Sequence, residues 1–143
     1  MKAQLSLAGG KTLSVVMTKN GESNALLGRP HFKYYLTIEV NGLKHGFTFH
    51  DSHNNYCKGK GVSKKILLQA LDCHIYDCFD YKSNNSFLDF ATEFGYGDED
   101  AGQARRAFNI CRKAYEDLTE VMSWEEIMEL NKIVAKELSS FYG

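Results

Sequence analysis

The chain has 143 residues, is 43% hydrophobic and 13% aromatic, holds a single proline and carries a formal net charge of -1. That length suits one domain with a real core, and this composition excludes a largely disordered chain. The charge balance argues against a strong general binder of nucleic acid, though a local patch can still work, and the absence of a run of roughly 18 apolar residues excludes a membrane-spanning helix.

Taken in chain order, residues 2–7 and 12–18 alternate apolar and polar positions around Gly9-Gly10, which predicts a β-hairpin. The stretch 19–30, with Asn20-Gly21, Gly28 and Pro30, reads as a loop. The clearest strand follows: Phe32, Tyr34, Leu36, Ile38 and Val40 share one face by period two, and Lys33, Tyr35, Thr37 and Glu39 share the other. Asn41-Gly42 supplies the positive φ angles of a tight turn, and Leu43–His50 returns with Phe47 and Phe49 on one face.

A polar loop over 51–62 leads to Ser63, a natural helix N-cap, and Ile66, Leu67, Ala70, Leu71, His74 and Cys78 continue at helical spacing. Ser86 caps a short helix whose apolar stripe is Phe87, Phe90, Ala91 and Phe94, and Gly95 suits the left-handed position that ends it. The acidic turn Asp98-Glu99-Asp100 complements the dipole of a long helix reaching Val121, with Ala104, Ala107, Phe108, Cys111, Ala114, Tyr115 and Leu118 on its apolar face. Ser123-Trp124-Glu125-Glu126 is a capping box, and Ile127, Leu130, Val134 and Leu138 line the last helix. The sum is an α+β fold in one domain, 1–143. A small antiparallel sheet of three or four strands within 1–50 is followed by about four helices within 63–142, packed on one sheet face.

The charge is unevenly spread. Residues 1–65 hold ten basic and three acidic side chains, a balance of +7, whereas 66–143 balance to -8. Segment 66–100 alone carries eight acids against Lys82. Such asymmetry suggests a bipolar surface, with solvated helix faces as the plainer account. The short, polar start of the chain is no secretion signal, so the chain should stay in the cytoplasm with Cys57, Cys73, Cys78 and Cys111 reduced and acting as small apolar side chains.

Three groups of residues are candidates for function. Asp89, Glu93, Asp98, Glu99 and Asp100 form an acidic patch suited to a basic partner, with helix capping as the plainer account of the last three. Lys58, Lys60, Lys64 and Lys65 cluster at a glycine-rich turn, where they could meet phosphates, with Tyr35 and Tyr56 adding stacking. His50, His53 and Cys57 have loose metal-ligand spacing, but no paired Cys-x-x-Cys knuckle accompanies them, so no metal is expected. Neither a nucleophile elbow nor a phosphate-binding loop of Walker spacing occurs, so no enzyme activity and no cofactor are expected. The last helix with Phe141-Tyr142 could bury against a second copy, as a homodimer, or close the monomer's own core.

The run Ser86, Phe87, Asp89, Phe90, Glu93, Phe94, Gly95 and Tyr96, followed by an acidic turn and a helix, resembles a family of small phage and mobile-element proteins. The resemblance extends over roughly residues 31 to 135, taking in the strand pair and the helix before the motif. Ala101-Gly102-Gln103 departs from the Ser-Arg-Lys-like triplet that the family tends to carry. The family's setting is shared by inhibitors of host defence, including anti-CRISPR proteins. The resemblance therefore implies an inhibitor acting inside the host bacterial cell on a defence protein, most plausibly the CRISPR effector nuclease Cas9, through the acidic patch. A nucleic-acid-binding accessory protein of a mobile element, acting through the basic amino-terminal half, is the alternative.

Overall fold

The computed structural model describes residues 1–8, 11–26, 29–51 and 63–142. Four strands, β1 (Lys2–Ser6), β2 (Thr12–Leu26), β3 (Arg29–Val40) and β4 (Leu43–Asp51), pair in sequence order as an antiparallel meander. Helices α1 (Lys64–Ser83), α2 (Phe87–Glu93), α3 (Ala101–Val121) and α4 (Trp124–Tyr142) follow, with a 3-10 turn at Asp98–Asp100 before α3. The fold is α+β, with the helices against one face of the sheet. None of the described helices is long and apolar enough to cross a membrane.

Alternation decides which sheet face is covered. Ala3, Leu5, Leu13, Val15, Met17, Tyr34, Leu36, Ile38 and Val40 are all buried, and they join the buried residues of α1, the second half of α3 and α4 in one core. The intervening positions face solvent. The β3–β4 turn takes the geometry its sequence asks for, with φ of 57° at Asn41 and 75° at Gly42. The expected loop at 19–30 is instead mostly strand. β2 runs on to Leu26 and β3 begins at Arg29, and the Asn20-Gly21 pair is absorbed by a register shift between Lys19 and Glu22. A bulge of this kind lets the ladder resume beyond residues that would otherwise turn the chain.

α1 is the central helix. It is capped by Ser63, whose Oγ accepts from the Ile66 N–H at 3.3 Å, and it buries Ile66, Leu67, Leu68, Ala70, Leu71, Ile75 and Cys78. That arc is wider than a one-sided stripe because α1 meets the sheet, α3 and α4 together. On α4, Ile127, Leu130, Val134 and Leu138 are buried as their spacing predicts.

The capping box at the start of α4 does more than end a helix. Ser123 Oγ accepts from the Glu126 N–H at 3.2 Å, and Glu126 Oε1 accepts from the Ser123 N–H at 3.0 Å. The same carboxylate meets Lys11 Nζ at 3.3 Å and accepts from Asn41 Nδ2 at 3.2 Å, so one side chain ties both neighbouring hairpins to α4. These donors, the Ser123 N–H foremost, hold the Glu126 carboxyl below its usual range. Ser123→Ala should cost about 1 kcal/mol, the ordinary value of an N-cap, and Glu126→Ala should cost more, about 2 kcal/mol, because the hairpin contacts go with the cap. Urea unfolding of the two variants measures both. Equal losses would show that the hairpin contacts contribute nothing.

Candidate functional site

The acidic residues sit on a small outwork of the fold with its own aromatic base. Ser86 Oγ accepts from the Asp89 N–H at 3.2 Å and starts α2. The helix ends in a full C-terminal motif. Gly95 takes φ of 73°, its N–H donates to Thr92 O at 3.3 Å, and the Tyr96 N–H donates to Ala91 O at 2.9 Å. A left-handed residue is required there, which is why a glycine follows Phe94.

Below α2 lies a second cluster of buried residues, Phe90, Phe108 and Cys111, flanked by Tyr81, Phe87, Tyr96 and Ala107. Phe108 of α3 meets Phe87 and Phe90 edge-on at 5.9 and 5.5 Å, and the Arg105 guanidinium lies 3.7 Å over the Phe87 ring. One aromatic departs from the expected stripe. Phe94 is 45% exposed. It is the C-cap residue at the rim of the stripe, where its ring still packs on Phe90 at 4.7 Å, and once Gly95 redirects the chain Tyr96 also stacks on Phe90, at 6.4 Å and 14° between planes.

On this base Asp89 and Glu93 stand one helical turn apart on α2, and Asp98, Glu99 and Asp100 form the turn into α3. Asp89, Glu93, Asp98 and Glu99 are exposed and Asp100 is half-buried, and none of the five forms an ion pair among the described residues. Asp100 makes no side-chain cap bond, so the turn acts on α3 through its field alone. Leu88, beside Asp89, is 75% exposed.

The expected basic group is not assembled in the same way. Lys58, Lys60 and Tyr56 lie outside the described residues, as do His53 and Cys57, and His50 is described only as strand backbone. Lys64 pairs with Glu137 at 3.2 Å, and Lys65 is half-buried at the start of α1. Tyr35 belongs to the other side of the molecule. It lies on the solvent face of the sheet with its hydroxyl end over Gly46, where any Cβ would stand 2.0 Å from it. The sheet therefore separates Tyr35 from Lys64 and Lys65.

Two polar clusters went unforeseen. Asp117 of α3, 2% exposed, is the one buried charged residue among those described. It is bonded to Lys113, and His45 Nε2 of β4 stands 3.1 Å from its Oδ1, though not aligned as a hydrogen bond. His74 of α1 lies close enough to feel Asp117, His45 and Lys113, and burial lowers its pKa to about 4, leaving it neutral at pH 7. The other cluster is Asp77, Asp80 and Cys111, whose oxygen and sulfur atoms lie within 4.8 Å of one another. Cys111 Sγ donates to Asp77 Oδ1 at 3.9 Å. Burial, reinforced by Asp80, pushes Asp77 up to about 6, and burial pushes the Cys78 and Cys111 thiols up to about 12. Both thiols are thus inert, protonated, small apolar groups at neutral pH.

These groups act with opposite signs across nearly the same pH window. An Asp77 whose pKa rises from 3.8 to about 6 on folding is protonated in both states at low pH. Its burial cost grows as pH rises through that interval and is complete above it. Asp77→Asn should therefore stabilise the protein by about 1–3 kcal/mol at pH 7.5 and by almost nothing near pH 3.5. A His74 lowered from 6.5 to about 4 works the other way, with stability present above 6.5 and lost as pH falls toward 4. His74→Gln should flatten that acid limb by about 1–3 kcal/mol. Thermal melts of both variants and the parent across pH 3.5–8 test the two signs. Compared with family models, with curated proteins and with solved structures, the chain matches none.

Proposed function

We propose that this protein is an inhibitor of a bacterial defence nuclease, acting on the CRISPR effector Cas9, and that the acidic outwork of α2 and the turn before α3 is what it presents to its target. The observation that carries this reading is the exposure of Asp89, Glu93, Asp98 and Glu99 without ion pairs among the described residues, on a base held by Phe87, Phe90 and Phe108. A nuclease that grips nucleic acid does so through positively charged channels, and a fixed cluster of carboxylates is complementary to such a surface. Rigidity helps, because a patch that is already ordered loses little freedom on binding. The resemblance of the Ser86–Tyr96 run to phage and mobile-element proteins supports the same reading.

The nucleic-acid-binding alternative draws less support. Lys64 is already paired with Glu137, and Tyr35 lies across the sheet from the lysines it would have to work with.

The test is cleavage of a matched DNA target by Cas9 with and without excess purified protein, beside a variant carrying Asp89→Lys, Glu93→Lys and Asp98→Lys. We expect the parent to suppress cleavage, and the folded variant to need about tenfold or more protein for the same effect. We expect no binding to free DNA. Full inhibition by a folded variant would sink the acidic mechanism. Uninhibited cleavage with the parent would remove Cas9 as the target, and tight binding to free DNA would favour the accessory-protein reading.

A further inference from the structure

The sheet has two outer strands, and they are finished differently. On β4, His45 turns inward toward the buried Asp117, a polar inward-facing side chain of the kind that discourages pairing with another strand. β1 has no comparable feature. It pairs with β2 in unbroken register from Lys2 to Ser6, without bulge, proline or acidic residue.

The hydrogen bonds show which groups of β1 are spent. Met1 and Met17 exchange both backbone bonds, at 3.0 and 2.8 Å, and the Leu7 N–H donates to Lys11 O at 2.8 Å. By the alternation of an antiparallel ladder, Ala3 and Leu5 also direct their N–H and C=O groups to β2. Those of Lys2, Gln4 and Ser6 point away from the sheet. α4 closes the edge only past its end, where the Ala8 N–H donates to Glu129 Oε1 at 2.6 Å. Alongside the strand itself α4 stands off, leaving a groove of about 460 Å³ lined by Gln4, Leu5, Ser6, Ile133, Lys136 and Glu137, among others.

We propose that the occupant of this edge is β1 of a second copy, paired antiparallel about a two-fold axis through Gln4 to make a continuous eight-stranded sheet. The charge pattern of the strand permits this self-pairing. With Gln4 opposite Gln4 of the second copy, Lys2 falls opposite Ser6 at both ends, so no like charges meet. All three residues of each strand whose backbone groups point outward then face one another, giving about six new backbone hydrogen bonds. The two glutamine side chains meet on the axis, where each amide can donate to the other's carbonyl. On the inner face Ala3 and Leu5 of one copy continue the apolar row of the other beside Ile133. An isologous pairing of this kind is closed, so it stops at a dimer.

Sedimentation equilibrium of the whole chain from about 10 µM to 1 mM tests the proposal, with Gln4→Pro and Gln4→Lys alongside. Proline at position 4 removes an N–H that points away from the sheet and bonds to nothing among the described residues, and lysine there sets two charges together on the axis. The parent should weigh as two copies, and both variants should shift toward one while keeping the parent's circular dichroism. Should Gln4→Pro perturb the strand, Gln4→Lys alone carries the comparison. A parent that stays monomeric to 1 mM overturns the proposal. So does a dimer that survives Gln4→Lys undiminished, which would place the contact elsewhere, as on α4 near the exposed Phe141.

Discussion

The edge-on packing of Phe108 against Phe87 and Phe90 fixes where the acidic residues stand. A helix of seven residues is too short to hold itself in water, because the cost of nucleating it is spread over too few hydrogen bonds. α2 persists because two of its aromatic rings, the buried Phe90 and the partly buried Phe87, pack on α3, because Ser86 closes its start, and because Gly95 and Tyr96 close its end. α3 in turn belongs to both cores. Its first half carries Phe108 into the aromatic cluster under α2, and its second half carries Ala114, Leu118 and Val121 into the main core. The outwork is thereby tied to the sheet through one continuous helix, and Tyr81 of α1, 5.6 Å from Phe108, adds a second tie.

The buried polar groups have a different character. Hydrophobic packing alone would let α3 slide or rotate against β4 at modest cost, since one apolar contact substitutes readily for another. Asp117 is less forgiving. Lys113 lies on the same helix and travels with it, so the constraint across elements is His45: a register that kept Asp117 buried but moved it away from His45 would leave the carboxylate with fewer polar neighbours, a larger penalty than a lost methyl contact. The approach of His45 to Asp117 therefore favours one rotation of α3 against β4, and the first half of the same helix carries α2. Asp77 and Cys111 lie between α1 and α3 nearer the aromatic cluster, where a carboxyl that holds its proton to about pH 6 is tolerated.

Much of this architecture is legible in the sequence because it rests on local rules. Asn41-Gly42, Ser63, Ser86, Gly95 and the Ser123–Glu126 box each have a geometry that only a few residues satisfy, and each stands where it was expected. What is not local was missed. Asn20-Gly21 carries the same signal as Asn41-Gly42, yet the chain passes through it within a strand, because long flanking strands on both sides pair beyond it. His74 falls on the α1 stripe and His45 on the face of β4 that carries Phe47 and Phe49, whereas Asp117 lies beside the α3 stripe and carries no such signal. Periodicity marks a face and not the partner across it. For the site, the sequence marks the acids as surface residues. It cannot say that Tyr35 and Lys64 end up on opposite sides of a sheet.

The charge asymmetry of the chain is reshaped by folding. Two of the basic residues of the first half meet acids of the second half: Lys11 is held by Glu126 and Lys64 by Glu137. Within α3, Lys113 is taken by Asp117 and Arg112 by Glu116. The exposed pairs among these contribute little stability, but each pair removes a charge of either sign from the field the surface presents. The acids of α2 and the following turn escape this cancellation. The first cation along α3, Arg105, is spread over the Phe87 ring and so serves the base of the outwork. The concentrated negative potential is thus a product of the fold, made by pairing charges elsewhere and by giving the local arginine an aromatic face as its neighbour.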